Sequence, residues 1–469
     1  MRYSGRVAAL AGTLCVLGGC QAPPTDVSPI TRILDASKSD AMIEYRTEGG
    51  PLDEPVSTAA LPLGEAVKRG LETDPSLQAA LARVRIAAAD ADQARLLPNP
   101  VLNFILRWGP GKPQFEISLA QDFIEALKMP RKIDAADNRL RESAANALTV
   151  ALDVVAQIEI QYADAQAASE LVPLLESRLS LLDKLTAAAE DRLEGGEGTR
   201  HDVVTLRARR TEIGVDLSEA RLADARHRLR LARFIGEPSS AAEWILDPFA
   251  AASATPANEP LWIATTLQHR PELQAISWRL AALGDDLSIA RMSAWDGASV
   301  GIDSQRDDKW FTGPSISTPI PIFDTGKARS DRAKAQIVEA RHEFTLASRK
   351  AVEETRVALR TLRDTNAALV RIDSELIPLE GSRLELARYA FESGQSDTTS
   401  LYLAEQDLRI AQIRRMETRR EVVRSLAQLQ RAAGGPGFAS GLLSVGPAPS
   451  ANTTSPTVNL SSDSKESSN

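Results

Sequence analysis

The chain has 469 residues, a formal net charge of −8, 43% hydrophobic residues and only 4% aromatic ones. The acidic balance argues against a nucleic-acid partner, and the shortage of aromatic side chains favours long helices packed by small aliphatic residues. Two cysteines and four histidines supply little for a disulfide framework or a metal site. We therefore predict no metal site. No catalytic set of residues emerges along the chain, so we also predict no cofactor and no enzymatic activity.

The beginning of the chain has the pattern of an export signal. Arg2 and Arg6 form a basic region before an apolar stretch, residues 7–18, that is too short to span a bilayer comfortably. The stretch ends in the letters LGGC, with the cysteine at Cys20, and this ending resembles the lipobox of bacterial lipoproteins. The resemblance implies a signal peptide over residues 1–19, a lipid on Cys20 and an anchor in the outer membrane. Residues 20–60 read as an extended lead-in.

The rest of the chain contains an internal sequence repeat. Residues 71–79 read LETDPSLQA, and residues 267–275 read LQHRPELQA. Further along, ELVPLLESRL at 170–179 returns as ELIPLEGSRL at 375–384. Duplication on this scale predicts two structural repeats, which we place at 61–259 and 260–433.

Helical periodicity accounts for most of each repeat. The predicted helical stretches are residues 61–96, 131–194 and 200–235 in the first repeat, and residues 260–293, 327–393 and 398–433 in the second. In the first stretch of each repeat, Pro75 and Pro271 follow a short helix and can open the next one. At 1.5 Å per residue, the longest of them extend about 100 Å. Pro173 and Pro378 lie inside these long helices, and we expect each to kink its helix because proline removes a backbone donor. Residues 434–469 have few large apolar groups and are predicted to be a disordered tail.

A β-hairpin interrupts the helices of each repeat. In the first, at about 100–121, Leu102, Phe104 and Leu106 alternate with residues that lie on the opposite face. The second hairpin, at about 298–320, repeats this pattern less clearly. Two matched hairpins behind an export signal favour tilted membrane strands over ordinary surface hairpins.

Four strands cannot cross a membrane alone, because open strand edges leave backbone amides unpaired in lipid. They are also too few to close a barrel. Oligomerisation must therefore supply the remaining strands. Three copies would give twelve strands, and symmetric closure is the usual arrangement of an oligomer.

These features, in this order, resemble the TolC-type outer-membrane efflux protein family over about residues 61–435. The motifs that carry the resemblance are DPSLQA at 74–79, RPELQA at 270–275 and ISTPIPIFDTGK at 316–327. The resemblance implies a mainly α fold with a small β part. It also implies a homotrimeric duct, in which a 12-stranded β-barrel sits in outer-membrane lipid and continues into a periplasmic α-barrel. The implied partners are a periplasmic adaptor and an inner-membrane transporter.

The resemblance also suggests where partners bind. Gly196 and Gly394 each follow a long helix, where glycine can adopt the backbone angles that reverse the chain. In the family such tips meet the adaptor. Both glycines are therefore predicted as adaptor contacts as well as helix caps.

A gate is expected at the same tips, where family members often carry acidic residues after the glycine. Asp202 stands at such a position in the first repeat, whereas Ser400 and Leu403 stand at the equivalent place in the second. Asp397 and Glu405 lie nearby. The departure suggests a tip closed less by charge than by hydrogen bonds or packing.

The predicted function is a passive exit duct for small solutes, gated at its periplasmic tips. Two alternatives stay open: a duct for type I protein secretion, and a lipid-anchored periplasmic coiled-coil scaffold without a pore. No Gly-rich phosphate loop follows a strand, so the chain is not expected to use nucleotides itself.

Overall fold

The structure, a computed structural model, describes residues 29–47, 60–109, 113–196, 198–238, 240–249, 254–256, 258–306, 309–393, 395–396 and 398–445. Its helices are α1 (Pro29–Ser37), α2 (Leu63–Thr73), α3 (Pro75–Ala94), α4 (Phe123–Glu194), α5 (Arg200–Phe234), α6 (Glu259–His269), α7 (Pro271–Met292), α8 (Lys327–Arg371), α9 (Ile377–Glu392), α10 (Thr398–Ala432) and α11 (Pro436–Ala439). Its strands are β1 (Ala60–Leu61), β2 (Val101–Arg107), β3 (Gln114–Asp122), β4 (Ile245–Leu246), β5 (Ala254–Pro256), β6 (Ser299–Arg306), β7 (Trp310–Ser317) and β8 (Leu443–Val445). The predicted fold class, mainly α with a small β part, is confirmed.

The two repeats are built from corresponding elements. Helices α2 to α5 and strands β2 and β3 in the first repeat correspond to helices α6 to α10 and strands β6 and β7 in the second. Pro75 and Pro271 open the third and seventh helices, where a missing N–H costs nothing. Asp74 adds a cap to α3, since its carboxylate accepts from the N–H of Ser76 at 2.8 Å.

Helix α4 begins earlier than the sequence pattern predicted. It starts at Phe123 instead of residue 131, because Asp122 ends the strand and caps the helix by accepting from the Glu125 N–H at 3.0 Å. Pro130 lies inside the helix rather than at its start. The predicted boundary at residue 131 is therefore wrong.

The two internal prolines meet different surroundings. Pro173 lies within α4, which is assigned as α-helix without interruption from Phe123 to Glu194. Before Pro378, by contrast, the α-helix gives way to a π-helical segment at Ile372–Leu376. A wider turn accommodates the proline ring and the lost donor. The predicted disturbance at Pro378 thus takes the form of a π segment, and α4 shows no corresponding break.

The middle of α4 is the centre of the fold. One 18-residue window of this helix is apolar enough to cross a membrane, with a mean hydropathy of 1.3, but 56% of the window is buried inside the fold. Its Tyr162 hydroxyl donates to the Leu61 carbonyl at 2.7 Å and accepts from the Asp247 N–H at 2.8 Å. Burial raises the pKa of Tyr162 to about 12. This tyrosine ties the short parallel pair of β1 and β4 to the central helix.

Ion pairs join the two repeats beside this core. Asp164 of α4 is buried and accepts from Arg424 of α10 at 2.9 and 3.2 Å. Closer to the sheet, Arg431 of α10 donates to Asp153 of α4 and to Glu272 of α7, each at 2.6 Å. Charge-assisted hydrogen bonds are directional, so these ion pairs help to set the position of one repeat relative to the other, in addition to the burial of apolar side chains.

Both ends of the described chain are more structured than the sequence predicted. The lead-in, expected to be extended, contains α1, whose Ile33 is fully buried. The tail, expected to be disordered from residue 434, folds through residue 445 as α11, a short 3-10 turn and β8, which pairs with β5. Phe438 stacks on His269 at 4.3 Å between centroids. Gly435 and Gly437 let this tail approach the α1 backbone, because a Cβ at either position would collide with the carbonyl oxygen of Ala36 or of Asp35. The predicted signal peptide and Cys20 lie outside the described residues.

Candidate functional site

The two hairpins form one continuous sheet. Its strand order is β2-β3-β6-β7, and every neighbouring pair is antiparallel. Strands β3 and β6, which come from different repeats, pair over eight residues from Phe115–Arg306 to Asp122–Ser299. The outer strands β2 and β7 each have one neighbour within the described chain. The sheet therefore presents two open edges.

One face of the sheet is apolar, and much of it is exposed. The register places these apolar side chains on it: Leu102, Phe104, Leu106, Phe115, Ile117, Leu119, Val300, Ile302, Trp310 and Ile316. Two hydroxyls on the same face, those of Ser304 and Thr312, lie 2.8 Å apart and satisfy one another. Exposed apolar surface on this scale marks a contact with protein or lipid.

Aromatic rings gather at the hairpin-turn end of this face. Phe115 makes edge-to-face contacts with Phe104 at 4.5 Å and with Trp310 at 5.8 Å. The guanidinium of Arg306 lies over the Trp310 ring at 5.8 Å. Aromatic side chains beside a cation are typical of the boundary between lipid and water.

The opposite face of the sheet is mainly polar. It carries Asn103 and Arg107 on β2, Glu116 and Ser118 on β3, Asp303 and Gln305 on β6, and glycine and serine on β7, interrupted by four apolar residues: Val101, Ile105, Ala120 and Phe311. Arg107 and Glu116 form an ion pair of 3.1 Å. An apolar face and a polar face along the same strands are the pattern of a membrane barrel with a wet interior.

A charged cluster connects the sheet to the helices below it. Lys128 of α4 is almost fully buried and bonds to Asp296, just before β6, and to Glu125 at 3.4 Å. Lys132 also pairs with Glu125. Although burial opposes ionisation, these two ammonium groups lower the pKa of Glu125. The cluster thus links the start of α4, which follows the first hairpin, to the segment that leads into the second hairpin.

The first tip ends α4 and begins α5. Gly196 has a φ of 79°, and its N–H donates to the Leu193 carbonyl at 3.1 Å, so it terminates the helix as predicted. Thr199 then caps α5: its hydroxyl accepts from the Asp202 N–H at 3.2 Å and donates to the Asp202 carboxylate at 2.6 Å. Asp202 is exposed, and its carboxylate orients the Thr199 hydroxyl that caps the helix.

The second tip joins α9 to α10. Gly394 and Asp397, predicted as an adaptor contact and a gate residue, lie outside the described residues. Ser400 and Leu403 are exposed on α10. Glu405 is instead buried, and its carboxylate lies 3.8 Å from Arg388 and 4.0 Å from Arg409. Glu405 therefore links α9 and α10 and does not project freely from the tip.

A residue that the sequence analysis missed brings the two tips together. Tyr402 of α10 is only 8% exposed and inserts its ring into the apolar cluster between α4 and α5. The cluster consists of Leu182, Leu185, Ala189, Val203, Leu206 and Ile213. The Tyr402 hydroxyl is buried without a hydrogen-bond partner among the described residues. Beside it lies a cavity of about 420 Å³, whose lining includes Asp202 and Leu403. The only sequence signal was a tyrosine between the predicted gate positions.

We compared the chain with protein families, with individual proteins and with solved structures. No protein-family model matches the chain. The chain is 23% identical over 296 residues to the nickel-cobalt-cadmium resistance protein NccC of Alcaligenes xylosoxydans xylosoxydans. That match covers 60% of this chain and 65% of NccC, slightly less than two thirds of the relative's length.

Solved structures match over more of the chain. The outer-membrane channel OprN aligns with a TM-score of 0.68 at 20% identity, over 84% of this chain and 99% of OprN. The outer-membrane protein VceC of Vibrio cholerae gives 0.67 at 18% identity, over 80% and 96% of the two chains. The open-state channel MtrE of Neisseria gonorrhoeae gives 0.65 at 19%, over 84% and 97%. The chain therefore has the fold of the TolC-type outer-membrane channels, which confirms at the level of the fold the resemblance seen in its sequence.

Proposed function

We propose that the chain is the outer-membrane component of a tripartite efflux system. It acts as a passive exit duct for small solutes received from an inner-membrane transporter and a periplasmic adaptor. The observation that carries this proposal is the four-stranded sheet, with one apolar exposed face, one polar face and two open edges, at the end of the long helices.

A homotrimer accounts for the open edges. If β7 of one copy pairs with β2 of the next, three copies close into twelve strands and leave no backbone donor unpaired in lipid. The apolar face then meets outer-membrane lipid and the polar face surrounds the pore. Helices α3, α4, α7 and α8 pack in that order below the sheet, so the same closure continues them into a ring.

The periplasmic end is the proposed site for the adaptor. Gly196 and Gly394 place the two tips, and three copies present six similar tips to a ring of adaptor subunits. A lipid on Cys20 would hold the protein at the outer membrane, because each buried CH₂ of an acyl chain contributes about 0.8 kcal/mol.

The gate lies at the same end, with Tyr402 holding α10 against the coil of α4 and α5. Asp202, Asp397, Ser400 and Leu403 are its proposed polar and apolar rim. Glu405 stabilises the pairing of α9 with α10. The gate opens when the Tyr402 ring leaves its apolar cluster. Opening therefore depends on the loss of side-chain packing more than on charge repulsion.

The cargo is proposed to be small and soluble. NccC is named for nickel, cobalt and cadmium resistance, which makes these ions the first cargo to test. No group of three or more metal-binding side chains occurs within the described part of the chain. A duct need only pass an ion that the transporter has selected.

Planar-bilayer recording of the purified detergent-solubilised protein tests the proposal. Discrete conductance steps from a trimeric species are expected, and a protein that stays monomeric and never conducts would contradict it. A deletion strain separates the rival functions. Loss of metal or drug tolerance supports efflux, whereas loss of a secreted polypeptide with unchanged tolerance indicates protein secretion.

A further inference from the structure

One carboxylate on the polar face of the sheet has no counter-charge. Asp303 lies in the middle of β6, where the register pairs it with Ser118 on β3 and Gly313 on β7. It is half-buried, and its Oδ1 has no hydrogen-bond partner among the described residues. Because Asp303 is part of a regular strand, the strand register fixes its position in the sheet.

The surroundings of Asp303 contain no basic side chain. Its same-face neighbours are the directly paired positions, the next positions along β6 and the diagonal positions on β3 and β7. They are Ser118, Gly313, Gly301, Gln305, Glu116, Ala120, Phe311 and Ser315, all of them described. Diagonal neighbours lie roughly 7–8 Å apart, so this set includes the side chains of the face that could neutralise Asp303 most directly.

The other charges on this face are already engaged. Arg107 and Glu116 neutralise one another at 3.1 Å. Asp122, at the end of β3, accepts from the Glu125 N–H and caps α4. Among the described strand residues on the polar face, Asp303 is therefore the carboxylate that has neither a basic partner nor a helix to cap, and it lies in the middle of its strand.

We propose that Asp303 makes the membrane section of the duct selective for cations. This inference rests on the proposed trimeric duct, in which three copies of Asp303 form a ring at one height of the pore. The ring attracts cations and repels anions as they pass through the barrel, independently of any charge at the periplasmic tips.

The expected size of the effect follows from barrel geometry. Twelve strands spaced about 4.8 Å apart and tilted by about 40° give a backbone radius of roughly 12 Å. Carboxylates that point inward would lie roughly 8 Å from the axis, about one Debye length at physiological ionic strength. Three charges at that distance in 0.1 M salt change the cation-to-anion ratio at the axis by about tenfold. In 1 M salt the Debye length is about 3 Å, and the effect largely disappears.

Reversal-potential measurements on the reconstituted trimer in a KCl gradient around 0.1 M test the inference. Asp303→Asn is expected to lower the K⁺-to-Cl⁻ permeability ratio by about three- to tenfold. Adding Ser118→Asp to this variant returns a carboxylate to the same row of the sheet and should restore selectivity. Ser118→Asn in the otherwise unchanged chain is the matched control and should leave the ratio unaltered.

The outcomes separate this inference from the proposed function. If the variant channels conduct but Asp303→Asn keeps the ratio within about twofold of the starting protein, the inference is overturned and the duct stands. If Ser118→Asp fails to restore selectivity, the position of the charge is not what matters and the inference also fails. If the unaltered protein never conducts, both proposals fall together.

Discussion

Replacing Tyr402 tests whether packing holds the periplasmic tips closed. The ring is 8% exposed within the cluster between α4 and α5, and truncating such a buried aromatic residue to alanine typically costs about 3–5 kcal/mol. We take about 3 kcal/mol, because the neighbouring cavity already leaves part of the ring without contacts. The equilibrium between docked and undocked α10 should then shift by roughly two orders of magnitude per protomer.

The phenylalanine variant should move the equilibrium in the opposite direction. Tyr402→Phe keeps the ring and removes a buried hydroxyl that has no partner among the described residues. Leaving such a group unpaired costs about 1–3 kcal/mol, so its removal should stabilise the docked state by about 1 kcal/mol. The two substitutions therefore change the stability of the docked state in opposite directions and by different amounts.

Open probability in planar bilayers is the measurement, with the melting temperature of the solubilised trimer as a second readout. Tyr402→Ala should raise the open probability and Tyr402→Phe should lower it. Tyr389→Ala is the matched control, because this tyrosine lies near the same tip and is 70% exposed. If Tyr402→Ala gates like the unaltered channel, or if Tyr402→Phe opens it further, a packing latch at this position is refuted.

Two further predictions concern the sheet and the central helix. A Cβ at Gly301 would lie 2.3 Å from the Leu119 carbonyl oxygen, whereas one at Gly313 would meet nothing within 4 Å. Gly301→Ala should therefore break the pairing of β3 with β6 and reduce the yield of heat-modifiable trimer on gels, while Gly313→Ala should assemble normally; equal yields would contradict this reasoning. Burial raises the pKa of Glu159 from 4.5 to about 7, so the folded protein keeps a proton that the unfolded chain releases above about pH 4.5. Stability should fall as the pH rises from about 4.5 to 7 and then level off, and Glu159→Gln should raise the melting temperature by about 3 °C at pH 8 but not at pH 4. An equal shift at both pH values would show that ionisation of Glu159 is not the cause.

Local sequence patterns predicted most of the helices and strands, but not all of their boundaries. Period-two alternation located both hairpins within about three residues, and helical periodicity located the long helices, because both patterns record which face of an element is buried. The boundary at α4 was wrong because Asp122 acts as a strand residue and a helix cap together. Composition also failed for α1 and for the segment after Gly434, since short pieces become ordered when they pack on a core made elsewhere.

The sequence by itself determined the duplication and the order of helices and hairpins, because spacing and periodicity along the chain record both of them. The resemblance of its motifs to a known family then indicated the fold. Only the tertiary structure decided which residues meet across the two repeats. The insertion of Tyr402 beside Leu182 and the pairing of Asp303 with Ser118 join residues more than 180 positions apart. Such contacts depend on strand register and helix packing, which no local pattern specifies. Tyr402, proposed to hold the gate closed, and Asp303, proposed to select cations, were identified from these tertiary contacts.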